Sequence, residues 1–232
     1  MLEVVNIDTY YGTSQVLRGV SLKVKEGQVV ALLGRNGMGK TTTVRSIMGL
    51  TPARSGTIRF DGKDITRLES YKIARMGLGL VPQGRHIFPS LSVKENLVIA
   101  MRGKGFNLDS IYSYFPILEK RGNHRGNQIS GGEQQMLAIA RTLLTNPKLI
   151  LMDEPSEGLA PIVIQAIGNI IPKIKEQGLS ILLVEQNVSL ALGTSDYCYV
   201  MHKGEVVYSG NTDDLAKNEK IQSEYIGVSR GQ

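Results

Sequence analysis

The sequence predicts an α/β fold: a mixed-sheet core with an antiparallel β portion at its N-terminus and a helical lobe inserted into it. Three observations carry that prediction. Short apolar runs at 29–33, 78–81, 149–152 and 181–184 have the character of buried parallel strands and are separated by segments of helical character. The run at 29–33 feeds straight into a glycine-rich loop that opens a helix. From 83 to 146 no strand of comparable apolarity occurs, and the texture turns helical.

The chain opens with two apolar-alternating strands at 3–7 and 16–24, the second placing Val20, Leu22 and Val24 on one face. Glu26-Gly27 turns into the strand at 29–33, and the helix beginning at Lys40 is expected to end near Gly49. Ser55-Gly56, the run 57–60 and Asp61-Gly62 read as a strand entering a tight turn. A short helix at 71–76 precedes the strand 78–81, which Pro82 closes. Within the lobe, Ser92-Val93-Lys94-Glu95 caps one helix, a helical patch lies at 111–119, and the glycine-rich stretch 122–126 leads to a helix opened by Ser130. Met136, Ile139, Ala140 and Leu143 recur at helical spacing there, and Asn146-Pro147 ends the segment. Strands at 149–152, 181–184, 197–201 and 206–208, separated by helices, resume the core. The reading is one domain, with a core of 1–82 and 147–232 and a helical lobe of 83–146.

At 232 residues the chain is long enough for one large domain or two lobes sharing a core. A hydrophobic content of 41 % with 26 glycines excludes a disordered or fibrous chain. No apolar stretch reaches the roughly 18 residues of a membrane span. The first residues lack the basic-then-apolar pattern of a signal peptide, so a cytosolic location is expected. The single cysteine, Cys198, lies in an apolar run and is expected to be buried and reduced. A net charge of +6 and a pI near 9.4 suit phosphates or acidic lipid heads, but the basic residues are scattered. Composition therefore gives no argument for nucleic acid.

Three motifs carry chemistry. Gly34-Arg35-Asn36-Gly37-Met38-Gly39-Lys40-Thr41 has the G-x-x-x-x-G-K-[ST] spacing, and Thr42 follows it into the helix. Its glycines let backbone N–H groups wrap the phosphates of a nucleotide, Lys40 supplies a cation to those oxygens, and Thr41 offers a hydroxyl to Mg²⁺. Asp153 and Glu154 end an apolar strand, where two adjacent acids are costly unless solvated or near a cation. Successive strand residues point to opposite sides, so the two acids have different tasks: Asp153 to hold Mg²⁺, Glu154 to polarise an attacking water. Ser130-Gly131-Gly132-Glu133 has the spacing of a capping box at a helix opening, where exposed N–H groups and the helix dipole favour a phosphate. Alone it would be an ordinary helix cap.

Together and in this order, the three motifs resemble the ATP-binding subunit of an ABC transporter, and the resemblance extends over nearly the whole chain. It implies an α/β phosphate-loop core that uses ATP and Mg²⁺. It also implies a head-to-tail pair in which the Lys40 loop of one subunit and the Ser130 helix of the other enclose each nucleotide. Tyr11 looks like the aromatic platform that stacks on adenine. Gln83, after Leu80-Val81-Pro82, matches the loop glutamine that reaches Mg²⁺ and water and touches the membrane partner. Two departures from the general pattern stand out: Ala160 where an aspartate is usual, and Gln186, in Val184-Glu185-Gln186-Asn187, where most members carry a γ-phosphate-sensing histidine. Gln186 can donate a hydrogen bond but no positive charge. The segments Gly34-Arg35-Asn36-Gly37, Val81-Pro82-Gln83-Gly84-Arg85, 130–137 and Pro155-Ser156-Glu157-Gly158-Leu159-Ala160-Pro161 resemble importers of branched-chain amino acids; both departures fit that subgroup, and subunits for urea or short amides look much alike.

The resemblance implies a second ATPase subunit, a different protein or a second copy, together with permease subunits, an indirect external binding protein, and no nucleic acid. The location implied is peripheral, on the inner face of the cell membrane. Two other readings stand beside it. ABC-type ATPases of DNA repair, chromosomes or translation carry long coiled-coil insertions or two cassettes per chain, and neither is present here. A degenerate subunit that hydrolyses poorly is opposed by the intact Lys40, Asp153 and Glu154, while Ala160 and Gln186 keep that reading open.

Overall fold

The computed structural model describes residues 1–227; positions 228–232 of the predicted core lie outside the described residues. Strands β1 (Leu2–Tyr11) and β2 (Ser14–Val24) pair antiparallel through a turn at Gly12. Strand β3 (Val29–Leu33) is buried along its length and delivers the chain to helix α1 (Lys40–Ile47). Then β4 (Ser55–Phe60) and the two-residue β5 (Lys63–Asp64) close a hairpin around Asp61 and Gly62, both at positive φ. These complete a four-stranded antiparallel sheet in the order β2-β1-β4-β5.

Helix α2 (Ser70–Arg75) precedes β6 (Leu78–Val81), after which come α3 (Val93–Val98), α4 (Leu108–Tyr114), α5 (Pro116–Lys120) and α6 (Gly131–Leu143). The patch expected at 111–119 is thus two helices. Pro116 occupies the first turn of α5, and Phe115 before it leaves helical geometry at φ −130 and ψ 70, as a residue preceding proline is pressed to do. Strand β7 (Leu149–Asp153), α7 (Pro161–Glu176), β8 (Ser180–Glu185), α8 (Val188–Thr194), β9 (Tyr197–His202), β10 (Glu205–Asn211) and α9 (Thr212–Lys217) follow. The second sheet runs β10-β9-β3-β8-β7-β6; its pairs are parallel except β10 on β9, so it is mixed as predicted.

Strand alternation sorts the core. Val30, Leu32, Leu149, Leu151, Leu182 and Val184 face one way and pack with Val20, Leu22 and Val24 of β2 and with Val44 and Ile47 of α1. Ile150, Met152, Ile181 and Leu183 face the other way and join Leu97, Ile111, Phe115, Leu137 and Ile171 in one cluster under the helices. Ala31 and Leu33 meet Val188, Cys198 and Ile226 in a third. Truncating any of these fully buried leucines to alanine costs about 2–5 kcal/mol. Alternation also decides where the polar strand ends point. Asp153 continues the Leu149–Leu151 side towards α1, whereas Glu185 continues the Ile181–Leu183 side towards the start of α7.

Candidate active site

The phosphate-loop segment leaves β3 at Gly34 and enters α1 at Lys40. A Cβ on Gly34 would lie 2.7 Å from the Met201 carbonyl oxygen, and one on Gly39, at φ 102, would lie 2.8 Å from Leu17 Cδ2. Neither position has room for a side chain. Arg35, Asn36 and Gly37 are exposed at the loop tip. The Met38 side chain instead packs on the core, its sulfur accepting the Lys203 N–H at 3.2 Å while its carbonyl accepts the Gly204 N–H. That side chain anchors the loop to the β9–β10 turn. Lys40 is 3 % exposed; its ammonium donates to the Gly34 carbonyl at 2.8 Å and the Arg35 carbonyl at 3.1 Å, bracing the loop from inside.

Asp153 closes β7 and Glu154 lies just beyond it, so the two acids part at a left-handed turn and not by the strand alternation expected of them. The Thr41 hydroxyl donates to Asp153 Oδ1 at 3.2 Å. Burial pushes the Asp153 carboxyl up to about 6; the Thr41 bond and the Lys40 charge pull it down, and Glu154 and Glu157 push it further up. A divalent cation between these oxygens would offset that cost, and a hydroxyl beside a carboxylate is the hard donor set that suits Mg²⁺. Glu154 turns the other way, at φ 49, and its carboxylate lies 2.9 Å from Lys40 Nζ.

Gln83 reaches the same acids. Its amide nitrogen lies 2.8 Å from Glu157 Oε2 and 3.5 Å from Glu154 Oε2. The chain then bends through Gly84, Arg85 and His86, all at positive φ, and Arg141 of α6 donates to the His86 carbonyl at 2.9 Å. Gln186 is exposed and lines one cavity of about 320 Å³ with Asn36, Glu154 and Glu157. Tyr11 ends β1, 47 % exposed, with its hydroxyl against Thr42 in the first turn of α1 and Thr51 beyond that helix's end.

The residues of the Ser130 group are not among those lining that cavity. Ser130 is the exposed N-cap of α6: its hydroxyl accepts the Glu133 N–H, and the Glu133 carboxylate accepts the Ser130 N–H at 2.7 Å. Arg121 adds an ion pair to Glu133 at 3.1 Å. The two glycines have a packing reason besides exposing N–H groups. A Cβ on Gly131 would meet Arg85 Nη1 at 2.5 Å, and one on Gly132 would meet Val163 Cγ2 at 2.7 Å.

Sequence reasoning missed Glu157 and Glu185. Glu185 is 1 % exposed at the end of β8 and accepts four hydrogen bonds from the 156 and 186–187 segments. Its signal was present: an acid closing an apolar strand, the same cue that singled out Asp153.

A glycine loop between a parallel strand and a helix, with a lysine, a hydroxyl and two strand-end acids converging on it, defines a nucleotide-phosphate-binding ATPase cassette. Residues 17–157 match the ABC transporter family model, and the chain belongs to that family. It is 42 % identical to the high-affinity branched-chain amino acid transport ATP-binding protein BraG of Pseudomonas aeruginosa, over 98 % of this chain and all of the relative. It is 34 % identical to the lipopolysaccharide export system ATP-binding protein LptB of Escherichia coli, over 96 % of this chain and 95 % of the relative. Among solved structures, a nucleotide-free ATP-binding cassette of an ABC transporter superposes with a TM-score of 0.86 at 28 % identity, covering 99 % of both chains. A dimeric cassette in a post-hydrolysis state with ADP and Pi matches with a TM-score of 0.79 at 27 % identity, over 91 % of this chain and 99 % of that one. The protein is an ATPase of this family, and its cassettes work as dimers with transmembrane permease components. Among the described residues no helix is long and apolar enough to cross a membrane.

Proposed function

We propose that this chain is the ATP-hydrolysing subunit of an importer for branched-chain or other hydrophobic amino acids, peripheral on the inner face of the membrane. The observation that supports the cargo is the 42 % identity to BraG along the whole of both chains, set against 34 % to LptB. The urea or short-amide class remains the second cargo reading on motif resemblance.

In the hydrolytic cycle Lys40 holds the β- and γ-phosphate oxygens of ATP, with the N–H groups of Gly34 to Thr42 around them. Thr41, Asp153 and Gln83 are the residues that would hold Mg²⁺, which when bound neutralises phosphate charge. Glu154 orients and deprotonates the attacking water, and Gln186 contributes a neutral amide beside the reacting phosphate. Tyr11 stacks on the base. Ser130, Gly131, Gly132 and Glu133 face the nucleotide of the other subunit, in keeping with their absence from the lining of this chain's own cavity. The permease contact belongs, on this reading, at a cleft of about 380 Å³ beside the Gln83 loop, lined in part by Pro82, Arg85, His86 and Arg141. The second ATPase is taken to be a different protein, since Ala160 and Gln186 depart from the general pattern here.

Deleting the gene and measuring uptake of labelled leucine tests the cargo. Loss of uptake, restored by the wild-type gene and not by Lys40→Ala, is the expected result. Normal leucine uptake with defective lipopolysaccharide display would overturn the assignment in favour of export.

A further inference from the structure

Glu154 occupies a left-handed conformation, φ 49, that is uncommon and costly for a residue with a side chain. Something must hold it there. Its N–H donates to the Val184 carbonyl at 2.9 Å. Two residues on, Ser156 donates its N–H at 3.0 Å and its hydroxyl at 2.8 Å to the carboxylate of Glu185. The N–H groups of Gln186 and Asn187 each donate to the same carboxylate at 3.1 Å. Glu185 is 1 % exposed, and its register partner on β3 is Leu33, the last residue before the phosphate loop. A carboxylate so buried is costly unless its lone pairs are met, and here four donors from two separate loops meet them.

We propose that Glu185 is a positioning residue for hydrolysis: its carboxylate ties the 154–156 turn and the Gln186 loop into one rigid piece, fixing Glu154 and Gln186 relative to each other. The inference rests on the reading of Glu154 as the group that activates water. Glutamine at 185 keeps shape and volume but cannot accept on both oxygens. With its carbonyl towards Gln186 and Asn187, its NH₂ confronts the Ser156 N–H, and the flipped amide confronts the other two N–H groups. One loop must move, and displacements of about 1 Å near reacting atoms cost up to ~10²-fold in rate. The phosphate loop is held by the Lys40 bonds to the Gly34 and Arg35 carbonyls and by Met38 on the β9–β10 turn, contacts that do not pass through Glu185, so nucleotide binding should survive.

The test measures MgATP hydrolysis, ATP affinity and melting on purified wild type, Glu185→Gln, Ser156→Ala and Glu154→Gln. Glu185→Gln is expected to lower kcat at least ~10-fold while ATP affinity stays within about threefold, a split that a general folding defect would not give. Ser156→Ala removes one donor and leaves the rest, so a smaller fall in kcat with a modest fall in melting temperature and unchanged ATP affinity is expected. Wild-type kcat in folded Glu185→Gln overturns the proposal; should that variant not fold, wild-type kcat in Ser156→Ala does so. Parallel loss of affinity and kcat also overturns it. Wild-type hydrolysis in Glu154→Gln would remove the underlying site reading, whereas an inactive Glu154→Gln beside a fully active Glu185→Gln would defeat this inference alone.

Discussion

Lys40 and Glu154 form an ion pair, Nζ to Oε1 at 2.9 Å, with side-chain exposures of 3 % and 9 %. The same ammonium braces the Gly34 and Arg35 carbonyls, so one cation serves the loop and the acid together. Removing one partner of a buried pair leaves the other desolvated and uncompensated.

Lys40→Ala should therefore abolish hydrolysis, weaken ATP binding and lower stability by on the order of 3 kcal/mol. Adding Glu154→Gln removes the stranded charge, so the double variant should recover much of the melting temperature and none of the activity. Thermal unfolding of both variants without nucleotide checks this. Equal melting temperatures would show that Glu154 is not left stranded when Lys40 is removed.

The Glu133 cap carries a pH signature. Burial raises the Glu133 carboxyl, but the Ser130 N–H and hydroxyl and the Arg121 guanidinium outweigh it, and the group sits below its ordinary value of 4.5. A depressed folded pKa contributes stability that is present above 4.5 and lost as pH falls through the folded value. Glu133→Gln should cost about 1 kcal/mol at pH 7, and the gap to wild type should close as the pH drops below the usual carboxylate range. Urea unfolding at a series of pH values measures it.

Ala160 is the N-cap of α7, with extended geometry (φ −66, ψ 149), Pro161 in the first turn and no side-chain cap bond. An aspartate there would accept an unpaired N–H of the first turn and face the positive end of the helix. Ala160→Asp should raise stability by about 1 kcal/mol. A lower melting temperature would mean that the 155–160 loop cannot present an N-cap side chain.

Much of this architecture was legible in local pattern. Strands 29–33 and 78–81 fall where their apolar runs placed them, and Val20, Leu22 and Val24 share a buried face. The capping boxes at Ser92 and Ser130 form as their spacing indicated. What escaped had non-local or irregular causes. The first strand runs to Tyr11 and not to Ile7, because irregularities in its pairing, with Asn6 at φ 47, break the alternation that marks a strand. The break at Phe115 is the exception: Pro116 beside it is a local cue against a single helical patch at 111–119. Ser156, the distant partner of Glu185, lies 29 residues away, and the partners of Gln83 lie 71 and 74 away at Glu154 and Glu157, so no window of sequence shows those contacts.

The central claim is that Glu154 drives water onto ATP held by Lys40. Glu154→Gln keeps the shape, relieves a negative charge beside the phosphates and removes the base. Single-turnover cleavage of labelled ATP, with bound nucleotide counted in parallel, tests it most directly. The account predicts that the variant binds ATP at least as tightly as wild type and cleaves it at least ~10²-fold more slowly. Cleavage at the wild-type rate from a fully loaded variant would contradict it.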